Sequence, residues 1–259
     1  MAVTRPKPAF DHCADDYSQY RPTYPDGVLD LIAERAGPPA GRWAADVGAG
    51  TGIFTRLLAR GGWRVLAVEP SLSMLGRFES PGDDRQSHPP IERLCASAEA
   101  TALKPASISL VTAAQAFHWF NPPYALAEFA RILEPGGLLM LLWNNRDDTT
   151  SPFARDYETL IAQYNPAYQH EYRRQDWPAK IAKQGDFEPA RPAGFAHTWQ
   201  LTADAFIGFT RSTSYIRNVL SAEQRPRFEN DVRSLIQRHF GDGLCEIPMN
   251  TQLWTARRR

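Results

Sequence analysis

The chain has 259 residues, 43% hydrophobic and 22% charged, enough for a buried core and for one α/β domain with a modest cap. Its 29 Lys and Arg balance 29 Asp and Glu, so no net basic field draws it to nucleic acid or to an anionic membrane. No window approaches the roughly 20 apolar residues of a membrane span, and Met1 to Phe10 holds no apolar stretch of signal-peptide type. The expected setting is therefore cytoplasmic.

Residues 11 to 26 are polar and carry Tyr17, Tyr20 and Tyr24 close together. From Tyr24 to Ala36 the apolar positions Val28, Leu29, Ile32 and Ala33 recur at helical spacing, ended by Gly37-Pro38-Pro39. Short apolar runs then predict strands at Trp43–Val47, Arg64–Val68, Ile91–Cys95, Ser109–Ala114 and Leu138–Trp143. Helical patterns lie between them at about 52–60, 71–79 and 123–133, the last closed by Glu134-Pro135-Gly136-Gly137. Such alternation means parallel strands joined by crossover helices.

After Trp143 the texture changes. Residues 145 to 190 are polar and aromatic-rich, with helices expected near 152–164 and 170–184, and read as a helical cap inserted between sheet strands. A strand near Phe195–Leu201 and a long helix around 222–240 follow, the helix with Phe228, Val232, Leu235 and Ile236 in one stripe. In the closing strand Cys245, Ile247 and Met249 alternate, which suits an edge position. The expected fold is α/β: a doubly wound, mostly parallel seven-stranded, Rossmann-like sheet with an antiparallel edge strand. It divides into a core at 1–145 that includes an N-terminal cover segment, a cap at 146–190, and a completion of the sheet at 191–259.

The first strand runs into Asp46-Val47-Gly48-Ala49-Gly50-Thr51-Gly52 and opens a helix at Ile53. Glycines there let a ligand approach the backbone, and the helix N-terminus offers free N–H groups. Glu69 ends the next strand, where a carboxylate can accept both ribose hydroxyls of a nucleoside. A dinucleotide loop of the form G-x-G-x-x-G would need glycine at position 53, which is Ile53. That favours S-adenosylmethionine over a nicotinamide dinucleotide.

These residues bring a family into view. Asp46 to Gly52 resembles the first motif of class I S-adenosylmethionine-dependent methyltransferases, and Val68-Glu69-Pro70 with Ser71-x-x-Met74 resembles their second. Ser97-Ala98-Glu99, Ala114-Gln115-Ala116-Phe117-His118-Trp119-Phe120 and Arg131 to Gly137 continue the match in order. Tyr17-x-x-Tyr20-Arg21-Pro22-x-Tyr24-Pro25 and Trp143 to Asp147 are similar to one small-molecule branch, that of the trans-aconitate methyltransferases and relatives. The resemblance implies that Gly48, Ala49, Gly50 and Gly52 line the methionine moiety, with Asp46 near its amino group. It implies that Glu69 holds the ribose, that Pro70 and Met74 lie by the cofactor, and that Ala98 and Glu99 flank the adenine. Ala114 and Gln115 would face the sulfonium and acceptor, and Tyr17, Tyr20 and Arg21 would close over the cofactor. The stretch Leu103 to Ser109 departs from the acidic, proline-containing loop common in that branch.

Methyl transfer needs alignment and exclusion of water, and a base only for a protonated acceptor. His118, just past the fourth strand, is the candidate base, with a structural corner as the competing reading. Arg146, Arg155, Arg173 and Arg174 in the cap are suited to a carboxylate, and Tyr157, Tyr164, Tyr168, Tyr172 and Trp177 to a planar acceptor or to plain packing. No metal is expected, because the histidines lack ligand spacing and Cys13, Cys95 and Cys245 form no CxxC pair. Cys95 and Cys245 read as small core residues. The expected activity is methylation of a small molecule, at oxygen (carboxylate or hydroxyl) before carbon or nitrogen. A nicotinamide-dependent oxidoreductase and a catalytically silent binding protein are the alternatives, and the chain is expected to be a monomer or homodimer.

Overall fold

The computed structural model describes residues 21–78, 89–168 and 175–259. The first half alternates as its sequence implies: α1 (Gly27–Ala36), β1 (Trp43–Val47), α2 (Ile53–Arg60), β2 (Arg64–Val68), α3 (Leu72–Gly76), β3 (Ile91–Leu94), β4 (Ile108–Ala114) and α4 (Pro122–Ile132). After it come β5 (Leu133–Arg146), α5 (Pro152–Tyr164), α6 (Trp177–Gln184), β6 (Arg191–Leu201), α7 (Ala203–Ser212), α8 (Ser214–Arg217), α9 (Gln224–Phe240) and β7 (Cys245–Arg257). The sequence pattern does not reveal α7 and α8. A signal is present at Thr202, whose side chain accepts from the Ala205 N–H (3.2 Å) and caps α7.

The strands form one seven-stranded sheet in the order β3-β2-β1-β4-β5-β7-β6. The pairs among β1 to β5 are parallel. β7 runs the other way, since Gly136 and Gly137 bond to Arg258 while Asp147 bonds to Pro248. The same reversal relates Phe187, just before β6, to Arg258. The antiparallel pairing thus sits at one edge of a mostly parallel sheet, as expected. The outermost place there belongs to β6, however, and the closing strand β7 lies inside it. Its alternation records one apolar and one more polar face, which says nothing about how many neighbours a strand has.

β5 also starts earlier than its apolar run. Ile108 pairs with Leu133 and Leu110 with Leu138, so two steps along β4 match five along β5. The Pro135-Gly136-Gly137 stretch, expected as a helix-closing turn, is a bulge inside the strand, with Gly136 at φ 77.

Two compact units divide the described residues. One takes in residues 23–78, 89–145, 175–195 and 251–259, the other 21–22, 146–168 and 196–250. In the first unit neighbouring strand residues go to opposite faces. Ala45, Val111, Leu139 and Leu141 pack with Phe129 of α4 and Ile181 of α6. Ala44, Val65, Leu110 and Met140 pack with Val28 and Ile32 of α1 and Leu57 and Leu58 of α2. Continuous apolar strands are the consequence of helices on both faces. In the second unit Phe153, Tyr157 and Ile161 of α5 meet Phe206 and Phe209 of α7 and Phe228, Val232 and Ile236 of α9.

Cys245 is buried as expected, whereas Cys95 is exposed. Cys95 follows β3, the outermost strand at the other end of the sheet, where burial is incomplete. No helix among the described residues is long and apolar enough to cross a membrane.

Candidate functional site

The loop between β1 and α2 sits at the carboxyl ends of the parallel strands, where open α/β sheets bind ligands. Its backbone is set by Gly48, Gly50 and Gly52, all at positive φ (75, 57 and 83). At Gly48 a side chain is excluded twice over. The left-handed backbone disfavours it, and a Cβ would lie 2.5 Å from the Ala116 Cβ. At Gly52 a Cβ would lie 2.2 Å from the Phe78 ring. The hydroxyl of Thr51 is buried in this loop with no hydrogen-bond partner among the described residues.

Glu69 ties this loop to the next strand. Its Oε2 accepts from the Gly50 N–H (3.0 Å) and its Oε1 from the Ser71 N–H (3.0 Å). Burial pushes its carboxyl above the usual range, while those two bonds pull it down and the Asp46 charge adds to the rise. A carboxylate has about four lone-pair directions, so capacity for further donors remains. Ser71 also caps α3, its Oγ accepting from the Met74 N–H (3.2 Å), and thereby places the buried Met74 shortly after Pro70.

Asp46 is 1% exposed and accepts from the Thr55 (2.6 Å) and Thr112 (2.9 Å) hydroxyls. Burial raises its carboxyl from 3.8 to about 6, against both hydroxyl bonds. The native state therefore binds more protons than the unfolded chain between about pH 4 and 6. Its contribution to stability is present below that window and lost as pH rises through it, about 3 kcal/mol in all. A carboxylate kept at that cost, beside a glycine-rich loop at the carboxyl ends of the strands, is characteristic of a functional position. Thr55 and Thr112 carry no sequence signal of this role. Thr112 is opposite Asp46 only by strand register, 66 residues away.

Past β4 the chain turns sharply. Gln115 has φ 56, uncommon for a non-glycine residue, and is held by its N–H to Leu142 O (2.9 Å) and its Nε2 to Asn144 O (2.9 Å). Asn144, within the Trp143 to Asp147 stretch, donates to Thr23 O (3.0 Å) and accepts from the Thr251 hydroxyl (2.5 Å). Ala114 and Gln115 are half-buried. Ala98 is buried in the core, and Glu99 accepts from the Asn121 N–H (2.8 Å) at the start of α4.

His118 lies in a single 3₁₀ turn, Phe117–Trp119. Its Nδ1 accepts from the Trp143 indole N–H (3.1 Å), so the neutral ring carries its proton on Nε2. That tautomer has no lone pair to spare for a base. Trp143 in turn stacks on Trp177 (5.1 Å, 8°) and meets Trp254 edge-on. The geometry matches the structural-corner reading of His118.

Arg21 donates to Ser212 O (3.4 Å) and lies over the Phe209 ring (5.2 Å). Tyr17 and Tyr20 lie outside the described residues, as do Cys13, Tyr172, Arg173 and Arg174.

A family model described as a methyltransferase domain matches residues 45–141. An uncharacterized methyltransferase of Mycobacterium tuberculosis is 38% identical over 231 residues, 89% of this chain and 86% of that one. A solved structure assigned to a type II methyltransferase of Anaeromyxobacter dehalogenans superposes with a TM-score of 0.59 at 22% identity, over 93% of this chain and 98% of the other. A Haemonchus contortus phosphoethanolamine N-methyltransferase, in complex with phosphomonomethylethanolamine and S-adenosylhomocysteine, gives 0.51 at 18% identity, over 96% and 57%. At these identities the two structures speak to the fold.

Proposed function

The chain belongs to the class I S-adenosylmethionine-dependent methyltransferases, and from that premise we propose that S-adenosylmethionine is bound at the β1 loop and methylates an oxygen of a small molecule. The observation that carries the reading is Glu69, whose carboxylate backs the glycine loop while keeping lone pairs for two ribose hydroxyls. The buried Thr51 hydroxyl, unpartnered among the described residues, supports the fit. Gly48, Ala49, Gly50 and Gly52 would hold the methionine end with Asp46 behind them. Pro70, Met74, Ala98 and Glu99 would hold the adenine side, and Ala114 and Gln115 the acceptor side. Tyr17, Tyr20 and Arg21 would serve as cover.

When bound, the cofactor supplies a methyl group already activated by positive sulfur. The chain has to bind, align and exclude water. A carboxylate oxygen is favoured as acceptor because it needs no base, and His118 offers none in its Trp143-bound tautomer. His118→Ala should therefore leave turnover within about fivefold, the loss of one ordinary hydrogen bond. A drop of about a hundredfold would reinstate it as a base.

Calorimetry with S-adenosylhomocysteine and with NAD, between pH 5 and 8, tests the cofactor. The homocysteine derivative should bind and NAD should not; preference for NAD overturns the reading. Asp46 should be ionised to sit near an α-amino cation. As pH falls below about 6 it takes up a proton, and affinity should fall by up to about tenfold per unit. Asp46→Asn should flatten that profile. A screen for labelled methyl transfer to carboxylate and hydroxyl metabolites then tests the acceptor.

A further inference from the structure

We propose that the unit containing α5, α7 and α8 carries a binding site for the carboxylate of a small monoanion, built around the Arg146 guanidinium. The proposal stands apart from the reading of the glycine loop, since all its residues belong to the other compact unit.

Arg146 ends β5 and is only 7% exposed. Its Nη2 pairs with Glu158 Oε1 of α5 at 2.6 Å. Its Nε is buried and has no hydrogen-bond partner among the described residues. Buried donors are satisfied almost without exception, and a guanidinium presents its N–H groups as a fork shaped for a planar carboxylate. One side of that fork is taken and Nε is still to be matched.

The surroundings suit an anion of limited charge. The Arg146 guanidinium lies over the Tyr157 ring (4.9 Å) and within 5.9 Å of the Phe209 ring, on which Arg21 also rests at 5.2 Å. Two cations thus converge on one aromatic side chain. Tyr157, Tyr168 and Tyr215 all lie within electrostatic reach of Arg146. The Tyr157 hydroxyl is buried and has no hydrogen-bond partner among the described residues. The rings of Tyr168 and Tyr215 meet at 4.6 Å, and Asn165 fixes α8 by donating to Tyr215 O (2.9 Å). Phenol hydroxyls can donate to a carboxylate, and the rings would enclose an apolar stem beside it. Glu158 already places one negative charge on Arg146, so a dianion such as phosphate would be repelled more than a carboxylate.

Calorimetry at fixed ionic strength, with benzoate and inorganic phosphate as probes, reads the site directly. Benzoate should bind saturably and phosphate at least about tenfold more weakly. Arg146→Lys, which keeps the charge and removes the fork, should weaken benzoate by about tenfold or more. Tyr215→Phe, which removes one hydroxyl and keeps the packing, should weaken it severalfold even if Arg146→Lys fails to fold. Glu158→Gln should tighten benzoate by about threefold or more, because Arg146 then has no competing carboxylate. S-adenosylhomocysteine affinity should be unchanged in Tyr215→Phe. No saturable benzoate binding, equal binding in Tyr215→Phe, or weaker binding in Glu158→Gln overturns the proposal and identifies Arg146–Glu158 as a structural ion pair.

Discussion

Glu69→Ala should weaken S-adenosylhomocysteine binding by about a hundredfold or more while the chain still folds. Hydrogen bonds to a charged group contribute about 1.5–3 kcal/mol each, and two ribose hydroxyls on one carboxylate give about 3 kcal/mol or more. The same carboxylate accepts from Gly50 and Ser71, so its removal also loosens the loop that the ligand meets. Stability should suffer less than binding, because burial already works against the Glu69 anion. Glu69→Gln should be nearly as harmful, since its amide group would turn a donor toward one of two backbone N–H groups. Isothermal titration at pH 7.5 with a thermal melt alongside checks this. A loss under about fivefold would mean that Glu69 serves only the loop.

Gly48→Ala should lower stability by about 3 kcal/mol or more, read as a melting temperature roughly 6 °C lower. The left-handed backbone accounts for about 1–2 kcal/mol of that. The remainder comes from the Ala116 Cβ, 2.5 Å from the new methyl and unable to rotate away. The Phe120 ring, at 2.9 Å, can turn aside. Gly48→Ala with Ala116→Gly should recover the contact part and leave the backbone part. Full recovery would show that the backbone conformation is not strained for alanine, and no recovery would show that the contact is not tight.

The same position shows why some features are legible in the chain itself. A glycine run between an apolar strand and a helical pattern is a local signal, and so is an acid at the end of the next strand. The alternation from Trp43 to Ile132 is local too, because a buried strand and a two-faced helix differ in period. Non-local pairings leave no such trace. His118 and Trp143 are 25 residues apart and Asp46 and Thr112 are 66 apart, and only the register of β1, β4 and β5 brings each pair together. Residue type alone makes His118 a candidate base, and the indole that occupies its Nδ1 is visible only in the fold. The bulge at Pro135-Gly136-Gly137 reads as a turn because proline and glycine mark both.

The α/β alternation, the glycine loop with its acid, and the family to which they belong all follow from the amino-acid order. Each depends on spacing within a few tens of residues and on backbone or side-chain chemistry that travels with the chain. Tertiary packing was needed to put β7 inside β6, to bury Asp46 between two threonines, and to enclose Arg146 among tyrosines with one nitrogen unmatched. Strand neighbours and buried partners are set by which apolar faces meet, and that is a property of the packed whole rather than of any segment.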